Sequence, residues 1–170
     1  MRPGTPARVT MVVPCYNEAR RLDGEAFRAF APDGLDVRFL FVDDGSTDGT
    51  ADVIARLCED CPKCALLRLT HNSGKGEAVR QGILQALPEQ PDAVGYWDAD
   101  LSTPLDGISD LYAILAERPE VEAVLGARVR LAGRVIERRE LRHYFGRVFA
   151  TFASLTLGLG IYDTQCGAKL

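Results

Sequence analysis

The 170-residue sequence predicts an α/β fold with a mainly parallel central sheet flanked by helices, and three observations lead there. Short β-rich apolar runs alternate with longer stretches whose apolar residues recur at spacings of three and four. The runs end in polar, turn-forming segments. A composition of 46% apolar and 26% charged residues suits one chain that buries a core rather than a disordered tail. Parallel neighbours require a crossover, and helical crossovers of one hand cover both faces of the sheet.

Taken in order, residues 9–13 (VTMVV) form a strand ended by Pro14, and a helix follows over 18–30. Residues 36–42 (DVRFLFV) form the second strand, ended by Asp43-Asp44-Gly45-Ser46, with a helix over 47–58 capped by Ser46 or Thr47. Strands over 65–69 and 93–97 precede helices over 74–87 and 105–117, and 123–125 is a fifth strand. Residues 148–162 carry no charge; 15 positions fall short of the roughly 20 that span a bilayer, so the stretch reads as a buried helix or as a surface that lies against a membrane or a missing segment. Residues 1–170 read as one domain without repeat or linker, and the ending DTQCGAKL carries no stop signal, as if truncated within the domain.

The formal net charge of −4 and pI near 5.2 give no general attraction to nucleic acid. Charge is nevertheless segregated. Seven arginines against two glutamates give +5 between Arg128 and Arg147, leaving −9 elsewhere, the pattern of a segment that meets an anion or of a solvated helix face. Five cysteines and an N-terminus without a long apolar region point to a reducing, cytoplasmic compartment. Cys58, Cys61 and Cys64 have two CxxC spacings, with His71 as a fourth zinc ligand. Their place between a helix and a strand favours incidental cysteines over a structural zinc site.

In open α/β sheets ligands bind beyond the carboxyl ends of the strands. Asp98-Ala99-Asp100 puts two carboxylates at one such end, hard oxygen donors suited to Mg2+ or Mn2+ with substrate phosphates completing the shell. Asp43 and Asp44 lie at another, where a carboxylate accepts from a nucleobase or ribose, or caps the helix that follows. Tyr16 offers a face for a base, and Asn72-Ser73-Gly74-Lys75-Gly76 resembles a phosphate loop without the GxxxxGK[ST] pattern; Lys75 contacts a phosphate there or is an exposed lysine beside a cap.

VVPCYNEARRL (12–22), FLFVDDGSTDGTADVI (39–54), NSGKGEAVRQGI (72–83), DADLSTP (98–104), GAR (126–128) and DTQCGAK (163–169) together resemble the family 2 glycosyltransferases. Within them the chain is most similar to dolichyl-phosphate or polyprenyl-phosphate glucose and mannose synthases. The resemblance implies a GT-A fold, a nucleoside diphosphate sugar donor and a divalent cation. Carried over by position, it places Pro14, Tyr16, Glu18, Val42 and Asp44 around the nucleoside, with Asp43 as helper or turn former. It gives Asp98 and Asp100 to the metal, and Ala99 a small side chain past which the nucleotide runs. Where the mannose synthases have a metal-reaching glutamine, this chain has Ser102, so no third protein ligand is identified.

Arg128 and Arg142 align with arginines that meet the diphosphate or the acceptor phosphate in those synthases. Fixed guanidiniums and a metal can stabilise both anions without proton chemistry. The implied reaction is inverting transfer of a hexose, glucose or mannose, from a UDP- or GDP-sugar to a polyprenyl or dolichyl phosphate. It implies peripheral contact at the cytoplasmic face of a membrane, and exposed apolar surface would allow a homodimer. Two alternatives remain: a saccharide hydroxyl acceptor, for which Asp163 is the late acidic candidate base, and a nucleotide-binding module without transfer.

Overall fold

The structure, a computed structural model, describes residues 5–127 and 166–170. Its sheet runs in the order β3-β2-β1-β4-β5, with β1 Ala7–Cys15, β2 Leu35–Asp43, β3 Cys64–Arg68, β4 Ala93–Trp97 and β5 Ala168–Lys169. The first four are mutually parallel and β5 runs antiparallel to β4. The β1–β2 register runs from Ala7↔Leu35 to Cys15↔Asp43. Both strands therefore end flush, and their following loops emerge side by side.

Alternation along the strands sorts the core into two layers. Val9, Met11 and Val13 of β1 and Val37, Phe39 and Phe41 of β2 face one side, where they pack with Phe27, Ile54, Leu57 and Ile108. Those partners come from α1 (Gly24–Ala29), α2 (Thr50–Asp60) and α4 (Gly107–Glu117). Phe27 meets Phe39 and Phe41 edge-on, each at 5.0 Å between ring centroids. Val12, Leu40 and Val42 face the other side and pack on Ala78 of α3 (Lys75–Ala86). Gly82 lets α3 lie close, since a Cβ there would stand 2.4 Å from Val12 Cγ1.

Four expectations are corrected. The helix expected over 18–30 is only α1: the N–H groups of Arg21 and Leu22 both bond the Glu18 carbonyl in a turn, and Asp23 caps the helix by accepting from the Ala26 N–H. The helix expected over 47–58 begins at Thr50, capped by left-handed Gly49, because Ser46 and Thr47 are engaged with Asn17 instead. Pro14 does not end the first strand. It lies past Val12↔Tyr96, the last pair with β4, where β1 is paired on one side only and tolerates a proline as an edge does.

The fourth correction concerns the fifth strand. Residues 123–125 contribute a single bridge, Leu125↔Lys169, and the strand beside β4 is β5. Backbone bonds from the Asp98 N–H to the Gly167 carbonyl (2.9 Å) and from the Gly126 N–H to the Ala168 carbonyl (2.9 Å) fasten residues 166–170 between β4 and 124–126. Gly95 permits this, as a Cβ there would lie 2.1 Å from the Lys169 carbonyl oxygen. The expected buried helix over 148–162 lies outside the described residues, and no helix among those described is long and apolar enough to cross a membrane.

Candidate active site

The β1 and β2 ends are stitched together through backbone donors. The Asn17 N–H donates to Ser46 Oγ (3.0 Å), the Thr47 N–H to Asn17 Oδ1 (3.0 Å), and the Glu18 N–H to Thr50 Oγ1 (2.8 Å). Thr50 is fully buried, and its own hydroxyl donates a hydrogen bond to Asp48 Oδ1 at 2.5 Å. That bond is the chief cause holding the Asp48 carboxyl below its ordinary value. Asn17 adopts a left-handed φ of 54°, a conformation its short polar side chain accommodates.

Pro14 and Glu18 are half-buried and Tyr16 is exposed, so their side chains border the rim. Glu18 Oε1 accepts from Arg21 Nη2 at 2.7 Å, while its buried Oε2 has no hydrogen-bond partner among the described residues. An orphaned carboxylate oxygen is costly unless a ligand donor reaches it. Beside it, burial first, then Glu18 and Asp43, push the Cys15 thiol far up, so that it stays protonated. Val42 differs from the other candidates: its side chain is fully buried against α3, so it faces the core and only its backbone can border a ligand.

Asp43 and Asp44 are both buried, and their partners separate their roles. Asp43 Oδ1 accepts from the Ser46 N–H at 3.3 Å and forms the turn. Asp44 reaches across to the loop before α3 and accepts from the N–H groups of Ser73 (2.8 Å) and Gly74 (2.9 Å). An internal carboxylate thus takes two donors that the phosphate-loop resemblance would leave for a phosphate. Gly45 is required here, because it has φ +66° and a Cβ would lie 2.5 Å from the His71 carbonyl carbon.

The next residue, Lys75, carries the network to β4. Its ammonium pairs with Asp98 Oδ1 and lies 5.4 Å from the centroid of the Tyr96 ring. Lys169 Nζ approaches the same ring at 5.2 Å. Ala99 turns into the core, whereas Asp98 is half-buried and Asp100 exposed. Asp100 Oδ1 accepts from the Ser102 N–H at 3.0 Å, and Leu101 between them takes a φ of 51°. Left-handed backbone at a leucine costs about 1–2 kcal/mol, strain of the kind that gathers at ligand sites.

Asp98 and Asp100 fit a divalent cation. They are hard oxygen donors on one short loop, the donor chemistry such an ion takes, and Asp98 Oδ1 already carries a positive partner in the Lys75 ammonium. Among the described residues no cluster of three or more His, Cys, Asp or Glu could hold a metal alone. In the cysteine run, the Cys64 thiol donates to Cys61 Sγ at 2.9 Å, both buried, while exposed His71 makes its contact with Thr70 Oγ1. Arg128, Arg142 and Asp163 lie outside the described residues.

Sequence reasoning missed Thr50, Tyr96, Gly167 and Lys169. Gly167 carries the clearest requirement, since a Cβ there would stand 1.8 Å from Asp98 Oδ2. A glycine between Cys166 and Ala168, in a segment short of turn formers, was the available signal of a close approach.

Residues 10–170 match the family model described as glycosyl transferase family 2. A dolichyl-phosphate beta-glucosyltransferase of Trichomonas vaginalis is 32% identical over 173 residues, covering 95% of this chain and 50% of that protein. The Mus musculus protein of the same name is 32% identical over 178 residues, covering 96% and 54%. The chain spans about half the length of the curated relatives it matches. Among solved structures, the mannosyltransferase PcManGT of Pyrobaculum calidifontis, in complex with GDP-Man and Mn2+, is 31% identical with a TM-score of 0.56, covering 71% of this chain and 35% of that one. TarS of S. aureus in complex with UDP, 21% identical with a TM-score of 0.57 over 77% and 38%, shares the fold. These neighbours are of the GT-A type, which agrees with the fold that the sequence resemblance implied.

Proposed function

The chain belongs to glycosyl transferase family 2, and from that premise we propose that the protein is an inverting glycosyltransferase moving a hexose from a nucleoside diphosphate sugar to a polyprenyl or dolichyl phosphate. The observation that carries the reading is the carboxylate pair at the end of β4, one member already bearing a cation, joined through Lys75 and residues 73–74 to Asp44 at the end of β2. The names of the curated relatives favour glucose and a dolichyl phosphate acceptor; the GDP-Man and Mn2+ complex of the mannosyltransferase supports the donor class and the metal.

In this reading Pro14, Tyr16, Glu18 and Asp44 border the nucleoside, and the orphaned Glu18 Oε2 accepts from one of its hydroxyl or N–H groups. Asp98 and Asp100 hold Mg2+ or Mn2+, which supplies positive charge to the leaving diphosphate. An acceptor phosphate oxygen forms the new bond to the anomeric carbon as the bond to the nucleoside diphosphate breaks, and the diphosphate departs with the electron pair. One displacement inverts that carbon. The acceptor is already ionised near neutral pH and needs no general base, and Arg128 and Arg142 neutralise the two phosphate groups. A lipid acceptor places the protein at a membrane face, the cytoplasmic one if the donor is drawn from the cytosol.

Thermal unfolding with UDP, GDP, UDP-glucose and GDP-mannose, each with and without Mn2+, tests the donor site. One nucleotide series should raise the midpoint only with metal, and Asp100→Ala should abolish that rise. An unchanged rise in Asp100→Ala would defeat the assignment. Arg142→Glu tests the acceptor: transfer to polyprenyl phosphate should collapse, while transfer to a sugar hydroxyl would persist if that were the true acceptor.

A further inference from the structure

The carboxylate proposed to hold the metal is already neutralised by a side chain of the protein itself. Lys75 pairs with Asp98 Oδ1, and the two halves of the pair differ in freedom. Asp98 is fixed: its N–H bonds the Gly167 carbonyl at 2.9 Å, and its carboxylate fills the space over Gly167 that a Cβ would occupy. The backbone before Lys75 is fixed too, through the Asp44 bonds to Ser73 and Gly74. The Lys75 side chain is not. It is 51% exposed and ends a flexible four-carbon stem, so its ammonium can change partners without moving the backbone.

We propose that Lys75 is a placeholder cation: it neutralises Asp98 while no ligand is bound, then transfers to a phosphate oxygen of the arriving nucleoside diphosphate and releases Asp98 to the divalent cation. The inference rests on the donor reading above. An ammonium on Asp98 and a dication on the same carboxylate repel one another, so metal alone must displace Lys75 into water. A diphosphate gives the ammonium a better partner and gives the metal its missing oxygens. Each ligand therefore strengthens the other's binding, and the coupling is reciprocal.

Free Mn2+ followed by electron paramagnetic resonance, titrated into the protein with and without saturating UDP or GDP, tests this without recourse to turnover. The unaltered protein should bind Mn2+ at least about tenfold more tightly with its nucleoside diphosphate than without. Lys75→Gln should bind Mn2+ alone about three- to tenfold more tightly than the unaltered protein. Its nucleotide-induced gain should shrink by about tenfold. Lys75→Met should repeat both changes and Lys75→Arg should restore the gain. Arg80→Gln removes a positive charge from α3, the helix that Lys75 begins, without breaking the Lys75–Asp98 pair, and should keep the gain within about twofold.

If Lys75→Gln binds Mn2+ no more tightly and keeps its full gain, the placeholder is overturned and the donor reading stands. An Arg80→Gln variant that behaves like Lys75→Gln would also overturn it, by tracing the effect to general charge. Absence of any Mn2+-dependent nucleotide binding in a cooperatively unfolding protein would defeat the donor reading and the placeholder together.

Discussion

At the end of β2, Asp43 and Asp44 are each 2% exposed, and their oxygens take the backbone N–H groups of Ser46, Ser73 and Gly74. At the end of β4, Asp98 is held by a half-exposed lysine and Asp100 by one N–H from Ser102. Backbone donors are supplied by the fold and cannot leave, whereas an ammonium on a long stem can. The β2 rim is therefore built before any ligand arrives, and the β4 rim is built to exchange its cation. In the proposed reaction these suit a nucleoside, which is only held, and a diphosphate, whose charge changes during transfer.

Substitutions should separate the two rims by their effect on stability. Asp44→Ala removes an acceptor from two N–H groups and should cost about 3 kcal/mol in urea unfolding; a loss under about 1 kcal/mol would show that the β2 rim is not structural. Gly167→Ala drives a methyl group into Asp98 and should cost about 2 kcal/mol, with loss of any Mn2+-dependent thermal shift from nucleotide. Thr50→Val leaves the Glu18 N–H without its acceptor and should cost about 1–2 kcal/mol. It should also let the Asp48 carboxyl rise toward its ordinary value in an NMR titration, because Thr50 is what chiefly holds it low.

Cys15 yields a smaller effect with a definite sign. Its folded thiol titrates far above the ordinary value of 9.0, so between that value and the folded one the native state keeps a proton that the unfolded chain releases. The resulting stability is complete below pH 9.0 and is lost as pH rises through the folded value. One unit into that window the loss is about 1.4 kcal/mol. Unfolding at a series of alkaline pH values should show a shallower decline in Cys15→Ala, and parallel curves would refute it. Asp98→Ala should have the smallest effect on stability, under about 1 kcal/mol, since a partly exposed ion pair contributes little. Yet it should abolish metal-dependent nucleotide binding, the sharpest contrast with Asp44→Ala.

What could be read in the sequence was what lies close along it. β4 stands where expected, because a short apolar run is bounded by Pro91 and Asp98, and the acidic pair Asp98 and Asp100 is read directly from the turn that follows it. The helix over 18–30 was over-extended because Leu22, Ala26 and Phe30 keep helical spacing across a cap at Asp23 that spacing does not reveal. Asp44 reaches its donors 29 and 30 residues away, and Lys75 reaches Asp98 across 23. Nothing local distinguishes such a carboxylate from one that merely caps a turn. The β5 strand was illegible for a related reason: two residues carry no periodicity, and only the sheet supplies the need for them.

That two-residue strand has a consequence for the order in which the protein is made. The Tyr96 hydroxyl donates to the Cys166 carbonyl, a contact that spans 70 residues, and β4 gains its second neighbour only when that distant segment exists. At ordinary translation rates the ribosome needs about 4–14 s to cover such a distance. Throughout that interval the growing polypeptide presents one side of β4 as a bare hydrogen-bonding edge, the kind of surface that recruits stray strands and chaperones. The loop bearing Asp98 settles last, although most of the sheet beneath it was synthesised first.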